Sequence, residues 1–409
     1  MLSVTEYLDR LLAAIEPMAE LELPLAEVNG CVLRQDVAAP WPLPSFDNSS
    51  MDGYAVRRVD IAQASESSPV ELSVIDDIPA GYRSLETLQQ GQAIRIMTGA
   101  PVPSGADCVV PVELTDAGVE RVRINAPVDV GAYIRRTGED VPQGAIVLKA
   151  GTILTPRSIA LLAAVGQSRV RVIPKPRVAV MSTGTELVEP GEPLSHGLIS
   201  DSNSFMLVSA AQDAGALAYR VPPVADNEEA LLEVLQDQVH RADLIITTGG
   251  VSMGAYDPVK AVFNDLGTAE FHKVSMQPGM PQGFGTIGDP PIPVITLPGN
   301  PVSSYVSFEV FVRPALRKLM GSTLTSDRNV RATITESIGS PANKTQFARG
   351  RFIHNDGALT VEPVGSGQGS HFMGGLAQAE CFIVIPAGVA HLDAGAEVDV
   401  IDIRERHTR

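Results

Sequence analysis

The chain has 409 residues, of which 44% are hydrophobic, and this length predicts two to four domains at about 150 residues each. Its 31 Lys and Arg residues against 48 Asp and Glu residues give a formal net charge of −17, which makes nucleic acid and anionic lipid unfavourable partners. The longest apolar run lies near 159–165 and is far shorter than the roughly 18 residues of a membrane span, so no membrane insertion is expected.

The first residues lack the basic and apolar regions of a secretory signal, so we expect a cytoplasmic protein. Cys31, Cys108 and Cys381 lie far apart and are interpreted as small buried hydrophobic residues in a reducing compartment. The seven histidines form no His-x-x-x-His pair, and no Cys-x-x-Cys pair occurs. Any metal is therefore expected to be bound by oxygen ligands.

The chain opens with a predicted amphipathic helix, because Ser3 and Glu6 form a capping box before apolar residues at helical spacing. Short β-like runs separated by glycine turns predict a largely β region over about 21–148. Thr155 followed by proline predicts the start of a second helix, and Gly166 predicts its end.

Beyond a predicted boundary near 174–176, strands alternate with helices, and this pattern predicts an open, mostly parallel, doubly wound sheet. The predicted strands are 177–181, 218–221, 243–247, 270–275 and 294–297. The predicted helices are 203–214, 228–241, 259–266 and 303–320. From 330 to 403 alternating hydrophobicity returns and predicts a small β domain.

Three of the predicted strands run directly into turns of small residues, at 182–187, 247–252 and 297–303. Ligands of such sheets bind outside the carboxyl ends of the strands, and glycine lets the backbone approach an anion closely. The turns therefore predict a site for a phosphate-bearing ligand, although a single turn of this kind is also an ordinary connection between a strand and a helix. No P-loop motif occurs, so a P-loop nucleotidase is disfavoured.

Four carboxylates accompany these turns: Glu186, Asp201, Asp226 and Asp257. Hard oxygen ligands suit Mg²⁺, which commonly bridges a protein carboxylate to substrate phosphates. Helix capping is the alternative role for Asp201 and Asp226. Two further segments, 46–55 and 135–140, are rich in polar and charged residues, and each is either a solvated surface or part of a site.

Eight ordered segments resemble the MoeA family of molybdopterin molybdenumtransferases, which includes the E domain of gephyrin. They are 44–55, 96–101, 105–110, 135–140, 182–187, 201–203, 248–252 and 297–302. The resemblance covers nearly the whole chain and implies a multidomain protein of α/β and β parts. It implies an elongated domain (1–44 plus 140–173), a β-rich inserted domain (45–139), a central doubly wound α/β molybdopterin-binding domain (174–326) and a C-terminal β-barrel (327–409). It also implies a homodimer in which the inserted domain of one subunit helps to line the cleft of the other.

The reaction of this family inserts molybdate into the dithiolene of adenylylated molybdopterin and releases AMP, with assistance from Mg²⁺. The resemblance implies catalytic roles for Asp52, Thr98, Asp140, Glu186, Asp226 and Asp257, of which Glu186, Asp226 and Asp257 would hold the metal. The residues expected to bind the two substrates are Ser182, Thr183, Gly184, Asp201, Ser202, Asn203, Thr248, Gly249, Gly250, Val251, Ser252, Lys273, Pro298, Gly299, Asn300, Pro301, Arg349, Arg351 and Ser370.

One segment departs from the family pattern: the usual Pro-Gly-Lys-Pro turn, often preceded by a basic residue, reads Gln-Pro-Gly-Met-Pro at 277–281. Losing one charged hydrogen bond of about 1.5–3 kcal/mol would weaken anion binding by roughly one to two orders of magnitude. Two functions therefore stay open. One is an active transferase whose remaining cations, Lys273 and Arg349, suffice. The other is a gephyrin-like dimeric scaffold that binds a peptide from a membrane or cytoskeletal protein.

Overall fold

The computed structural model describes residues 1–225, 227–250, 261–262, 267–322, 329–355, 358–365 and 367–404. The chain forms two compact units. The larger unit comprises Met1–Leu21, Gly30–Arg34 and Arg171–Arg409, and the smaller unit comprises Glu22–Asn29 and Gln35–Val170. Among the described residues, no helix has both the length and the apolar character needed to span a bilayer.

Residues 1–170 contain short strands and two helices. In chain order these are α1 (Val4–Ala13), β1 (Leu21–Pro24), β2 (Val32–Leu33), β3 (Val37–Ala38), β4 (Asn48–Ser49), β5 (Gly53–Val56), β6 (Val70–Ile78), β7 (Gln92–Ile96), β8 (Cys108–Pro111), β9 (Arg121–Ile124), β10 (Ile134–Arg135), β11 (Ile146–Leu148) and α2 (Pro156–Ala164). The predicted β character of this region is confirmed.

From residue 169 to 322, strands alternate with helices. The elements are β12 (Arg169–Ile173), β13 (Arg177–Thr183), β14 (Leu187–Val188), β15 (Ile199–Ser200), α3 (Asn203–Asp213), β16 (Leu217–Val224), α4 (Glu228–Val239), β17 (Leu244–Thr248), β18 (Gly267–Lys273), β19 (Met276–Gln277), β20 (Pro281–Ile287), β21 (Ile292–Leu297), α5 (Pro301–Ser307), a π-helical turn (Phe308–Val312) and α6 (Arg313–Leu319). The predicted helix at 259–266 lies largely outside the described residues.

The described part of the C-terminal region is mainly β. Its elements are β22 (Asn329–Ile334), β23 (Ile338–Gly339), β24 (Thr345–Asn355), β25 (Ala358–Pro363), α7 (Met373–Ala377), β26 (Cys381–Ile385), β27 (His391–Leu392) and β28 (Glu397–Asp402). Strands β24, β25, β22, β28 and β26 pair in that order, and β26 pairs with β24 to close a five-stranded barrel. This confirms the predicted C-terminal β-barrel.

A five-stranded sheet in the order β8-β5-β7-β6-β9 forms the core of the smaller unit. Successive residues of β5 face opposite sides of a sheet, and both sides are covered: Tyr54 and Val56 pack in one apolar cluster, and Ala55 packs in another. Burial on both faces explains why β5 is apolar throughout instead of alternating.

The start and end of helix α2 agree with the prediction from sequence. Thr155 accepts a hydrogen bond from the Ser158 amide, and the helix ends just before Gly166, whose φ is +78°. A Cβ atom on Gly166 would lie 1.9 Å from the ring of Trp41, and the Trp41 Nε1 donates to the Ala164 carbonyl at 3.3 Å. The tryptophan therefore covers the carboxyl end of α2, and only glycine fits beneath it.

The central sheet of the larger unit has the order β16-β13-β17-β21-β20-β18. The first four strands pair in parallel, whereas β20 pairs antiparallel with both of its neighbours. Strand β20 is absent from the predicted elements because Gly283 and Gly285 interrupt its apolar pattern. A Cβ atom on Gly285 would lie 1.7 Å from the Thr268 carbonyl oxygen of β18, so the close pairing requires glycine.

Both faces of the central sheet are covered by helices. Val178 and Val180 of β13 share an apolar cluster with residues of α1, α3 and the helix that begins at Pro301. Ala179 and Met181 face the other cluster, to which α4 contributes Leu231 and Leu235. This arrangement confirms the predicted doubly wound α/β sheet.

Candidate active site

The three predicted small-residue turns lie side by side, because β13, β17 and β21 are neighbours in the sheet and run in the same direction. We call the edge formed by the carboxyl ends of these strands the carboxyl edge. A Cβ atom on Gly249 would lie 2.5 Å from the Thr183 carbonyl oxygen, and one on Gly299 would lie 3.6 Å from the Gly249 Cα. The turns are therefore in close contact, and Gly249 admits no side chain.

Asn203, the first residue of α3, ties two of these turns together. Its Nδ2 donates to the Thr248 hydroxyl at 3.0 Å and to the Gly299 carbonyl at 2.7 Å. The Thr248 hydroxyl in turn donates to the Pro298 carbonyl at 3.1 Å. The remaining predicted residues of this unit's turns are Ser202, which is exposed, Gly250, which has a φ of +66°, and Pro301, which opens α5.

Three buried polar atoms at the carboxyl edge have no protein hydrogen-bond partner among the described residues: Thr183 Oγ1, Asn203 Oδ1 and Thr247 Oγ1. A buried polar atom without a partner costs free energy, so such atoms commonly receive a ligand or an ordered water. Their position beside the glycine turns is therefore that expected of a ligand-binding surface rather than of packed interior.

The Glu186 side chain is exposed and folds back over the first turn. A Cβ atom on Gly184 would lie 2.6–2.8 Å from the Glu186 carboxylate atoms, so the missing side chain leaves room for this carboxylate. The Glu186 carboxylate is thus a side-chain oxygen ligand at the first turn, and oxygen ligands are those that Mg²⁺ prefers.

Several predicted site residues lie outside the described residues: Asp226, Asp257, Val251 and Ser252. Within the described ranges, no three His, Cys, Asp or Glu side chains are grouped so as to hold a metal ion. Of the three predicted metal ligands, only Glu186 is therefore placed.

The Asp201 carboxylate is 1% exposed and is occupied by protein donors. It accepts from the Ser182 hydroxyl at 2.8 Å, from the Ser204 amide at 3.1 Å and from the Ser204 hydroxyl, and Arg220 Nη2 lies 3.5 Å away. Asp201 thus caps the start of α3, as its alternative role predicted, and holds Ser182 in place.

Arg349 of the barrel is fully buried, and its guanidinium donates to the carbonyls of Gly367, Gly369 and Phe372. Burial lowers the pKa of the Arg349 side chain. The glycine-rich segment that begins at Gly365 is therefore wrapped around this cation.

The same segment reaches the carboxyl edge through Ser370. The Asn300 Nδ2 donates to the Ser370 hydroxyl at 3.1 Å, and the Val302 amide donates to the Ser370 carbonyl at 3.2 Å. Arg351 is placed differently, because it is exposed and its Nε donates to Glu362 on the neighbouring strand. The structure thus connects Arg349 and Ser370 to the third turn, whereas Arg351 forms an ion pair on the barrel surface.

Lys273 also lies at the carboxyl edge, because β18 runs in the same direction as β21 and ends at this residue. It is exposed, and the segment with the unusual sequence follows it. The backbone of that segment is fixed from below: the buried Gln282 side chain donates to the Gly279 carbonyl and to the Ser307 hydroxyl, each at 2.6 Å. These hydrogen bonds involve neither the Gln277 nor the Met280 side chain.

The predicted residues of the smaller unit lie on three segments that are joined by hydrogen bonds and strand pairing, which we call the second cluster. Asp52 Oδ1 accepts from the Thr98 amide at 2.7 Å and from the Thr98 hydroxyl at 2.8 Å, and these bonds lower the pKa of Asp52. Strand β4, just before Asp52, pairs with β10, which leads to Asp140. Asp52, Thr98 and Asp140 are all exposed. Three separate sequence segments thus meet on one surface of this unit.

Two residues that hold predicted site residues in place were not predicted from the sequence. Asp47 accepts from Arg136 Nη1 at 2.6 Å and from the Thr137 amide at 2.8 Å, which joins the first and third segments of that cluster. Arg220 lies in strand β16 and reaches Asp201 and Glu189. The sequence feature that could have indicated Arg220 is its position as a lone cation within an otherwise uncharged strand.

The three cysteines are free and buried, which confirms their interpretation as small hydrophobic residues. Burial raises the pKa of Cys108 and of Cys381 to about 12. Their thiols are therefore protonated at neutral pH and unsuited to nucleophilic attack.

Comparison with known proteins matches three family models along the chain. They are the MoeA N-terminal region (domain I and II) at residues 2–166, a probable molybdopterin binding domain at 179–318, and the MoeA C-terminal region (domain IV) at 331–403. Molybdopterin molybdenumtransferase 2 of Mycobacterium tuberculosis is 46% identical over 98% of this chain and 100% of its own length. The chain belongs to the MoeA family.

Further relatives agree with this assignment. The molybdopterin molybdenumtransferase of Bacillus subtilis is 37% identical over 92% of this chain and 88% of its own length. The crystal structure of the molybdopterin biosynthesis MoeA protein from Pyrococcus horikoshii superposes with a TM-score of 0.79 at 31% identity, covering 99% of each chain. The resemblance seen in the eight sequence segments, and the fold class it implied, are confirmed.

Proposed function

We propose that this MoeA-family protein is a molybdopterin molybdenumtransferase that inserts molybdate into adenylylated molybdopterin and releases AMP. Relatives named for this activity are 46% and 37% identical over 98% and 92% of the chain. The observation in this chain that carries the proposal is the carboxyl edge, where three glycine turns are in contact and the buried Thr183 Oγ1 and Asn203 Oδ1 have no hydrogen-bond partner among the described residues. This surface suits a ligand that presents phosphate oxygens and N–H groups.

The chemistry requires hydrolysis of the phosphoanhydride bond: a water oxygen bonds to one of the two phosphorus atoms as the bridging P–O bond breaks, so that AMP leaves and molybdopterin keeps its own phosphate. Such cleavage is accelerated chiefly by positioning and by neutralising the charge on the phosphate oxygens. In our proposal the glycine turns hold the substrate, and Lys273 at the same edge faces the anionic groups. Ser370, fixed by Asn300, donates to molybdate from the barrel side.

We propose Glu186, Asp226 and Asp257 as the residues that hold Mg²⁺. When bound, Mg²⁺ would neutralise charge on the phosphate oxygens of the adenylate. The fit rests on the side-chain oxygen atoms at the carboxyl edge, which could ligate a metal ion. It also rests on the space left by Gly184, which the Glu186 carboxylate occupies.

The proposal includes a homodimer in the cytoplasm, with Asp52, Thr98 and Asp140 of one subunit acting at the carboxyl edge of the other. Family resemblance supports this assembly, and the exposure of all three side chains is compatible with it. The gephyrin-like scaffold gains no support over the transferase, because the relatives compared are named as transferases.

The transferase is tested by measuring AMP release from adenylylated molybdopterin with Mg²⁺ and molybdate. We expect turnover by the native protein and a loss of about two orders of magnitude or more in Glu186→Gln, because a charged group at the phosphates contributes several kcal/mol. Glu192→Gln is the matched control, since Glu192 is exposed on the same loop. Native protein without AMP release, or equal rates for the two variants, would contradict the proposal.

The variant Met280→Lys tests how much affinity for molybdate is lost because the segment 277–281 lacks the lysine of the family pattern. Because Gln282 and Ser307 fix the Gly279 backbone independently of Met280, the added lysine should leave the loop in place and tighten molybdate binding by roughly one order of magnitude. The measurement is the molybdate concentration at half-maximal AMP release. An unchanged value would show that this side chain does not face the anion.

A further inference from the structure

Arg220 has no role in the proposed chemistry, yet it joins three elements next to the carboxyl edge. We propose that Arg220 is a positioning residue that fixes the loop between β13 and α3, residues 184–202, and thereby places Glu186. We call this segment the acidic loop. The inference rests on the proposed function, because Glu186 acquires its role there.

The first contact is an ion pair with the acidic loop itself. Arg220 Nη2 donates to the Glu189 Oε1 at 2.8 Å and to its Oε2 at 3.1 Å. The Arg220 side chain is 22% exposed and the Glu189 side chain 39%, so this pair is only partly screened by solvent. It holds a point three residues beyond Glu186.

The second contact connects the loop to the start of α3. Arg220 Nε donates to the Ser204 hydroxyl at 2.7 Å, and that hydroxyl donates to Asp201. Asp201 accepts from the Ser182 hydroxyl at 2.8 Å. A single guanidinium therefore links Glu189, near the start of the acidic loop, to Asp201 at its end, and through Asp201 to Ser182 in β13.

The third contact fixes the plane of the guanidinium. The Arg220 Cζ lies 3.8 Å from the centre of the Phe205 ring, within the range of a cation–π interaction. Because Nε and Nη2 must point at Ser204 and Glu189 in that plane, the stacked arginine has a defined orientation that a lysine ammonium cannot reproduce.

The acidic loop contains only a short pair of strands, so few backbone hydrogen bonds hold it in place. The side-chain contacts of Arg220 are therefore important for its position. Strands β14 and β15 are two residues each, and the Ile199 amide donates to the Glu186 carbonyl at 2.9 Å as the first bond of their pairing. Residues 190–197 are exposed. Any loss of this ladder therefore moves the Glu186 backbone directly.

The proposal is tested first by hydrogen exchange in the protein without metal or substrate, using Arg220→Met and Arg220→Lys. We expect the amides of Leu187, Ile199 and Asp201 to exchange at least about tenfold faster in Arg220→Met, with β17 unchanged. Arg220→Lys should fall between the two. Unchanged exchange of the loop in a folded Arg220→Met protein would overturn the inference, and so would equally faster exchange throughout the sheet.

Arg177→Met is the matched control. Arg177 begins the neighbouring strand β13 and forms a two-bond ion pair with Asp243, at 2.8 and 3.1 Å, at the opposite end of the sheet. Its loss should leave exchange in the acidic loop as in the native protein. If Arg177→Met loosened the loop as much as Arg220→Met, a general loss of sheet stability would explain both results, and the inference would be wrong.

The second readout is AMP release as a function of Mg²⁺ concentration. We expect Arg220→Met to raise the half-saturating Mg²⁺ concentration about 10–100-fold, which is typical when a residue that orients a metal ligand is removed. A lower thermal midpoint with unchanged Mg²⁺ dependence would indicate a merely structural role and contradict the inference. If the native protein releases no AMP, the proposed function fails, whereas the exchange experiment still decides whether Arg220 holds the loop.

Discussion

The exposed Asp52 carboxylate has a lowered pKa because of its neighbour Thr98. The first cause of the lowered pKa of Asp52 is the Thr98 amide, and the second is the Thr98 hydroxyl. Because the folded state favours the ionised form, this contribution to stability is present above the ordinary aspartate pKa of about 3.9. It is lost as the pH falls through the lower folded value.

Thr98→Val tests this pair. The substitution removes the hydroxyl donor and keeps the amide, so the pKa of Asp52 should rise part of the way towards its ordinary value. The measurement is a carboxyl-carbon NMR titration between about pH 2 and 6. Asp47, whose pKa is lowered by Thr137 and Arg136, serves as the internal reference and should not shift. A pKa of Asp52 that stays constant would mean that the amide alone accounts for its lowering.

At the scale of single elements, helix α2 is defined by the residues at its two ends. Gly166 has a positive φ, and Trp41 lies where its side chain would be. Gly151 has a similar φ of +86°, but nothing lies within 4 Å of its missing Cβ. An alanine at position 151 would therefore introduce backbone strain alone, whereas an alanine at position 166 would introduce the same strain and an overlap with Trp41.

Gly166→Ala and Gly151→Ala should differ in stability by the cost of displacing Trp41. We expect Gly151→Ala to lower the free energy of unfolding by about 1–2 kcal/mol, since alanine is strained at positive φ. Gly166→Ala should lower it by about 2 kcal/mol more, because its Cβ atom also overlaps the ring of Trp41. Urea denaturation measures both values. Equal losses would indicate that Trp41 moves aside without cost.

The elements that could be predicted from sequence are those whose signal is local. The capping box at Ser3 and the buried strand at Arg177–Thr183 depend only on nearby residues. Strand β20 could not be predicted, because Gly283 and Gly285 are required by the close pairing with β18 and not by any pattern within β20 itself. The same reason hides Arg220 and Gln282: their partners become neighbours only when the sheet has formed.

The candidate site was predicted to a similar extent. The turns that contain Gly184, Gly249 and Gly299 were expected on one edge, and they are in contact there. Resemblance supplied Ser370 and Arg349: Ser370 follows a glycine-rich segment that no predicted helix follows, and Arg349 lies in a strand, β24, whose local pattern indicates no site. The hydrogen bonds from Arg349 to backbone carbonyls form only when the barrel has folded.

At the scale of the whole molecule, the proposed homodimer assigns each site residues from two subunits. In a dimer of one Asp52→Ala subunit and one Glu186→Ala subunit, a site shared between subunits leaves one site intact and one doubly altered. We expect about half of the native AMP release from purified heterodimers carrying two different tags, and almost none from either homodimer. If Asp52 acted within its own chain, both sites of the heterodimer would be defective and activity would be absent.

The larger unit is built from distant parts of the chain, and this has a consequence for synthesis. Leu11 and Ile15, on and just beyond α1, pack in one apolar cluster with Val302 and Phe311, and Lys318 Nζ donates to the Leu12 carbonyl 306 residues earlier. At roughly 5–20 residues per second, translation leaves α1 outside the ribosome for about 15–60 s before these partners emerge. During that interval its apolar side is uncovered, so α1 is a binding segment for a nascent-chain chaperone until the residues around Val302 and Phe311 have been made.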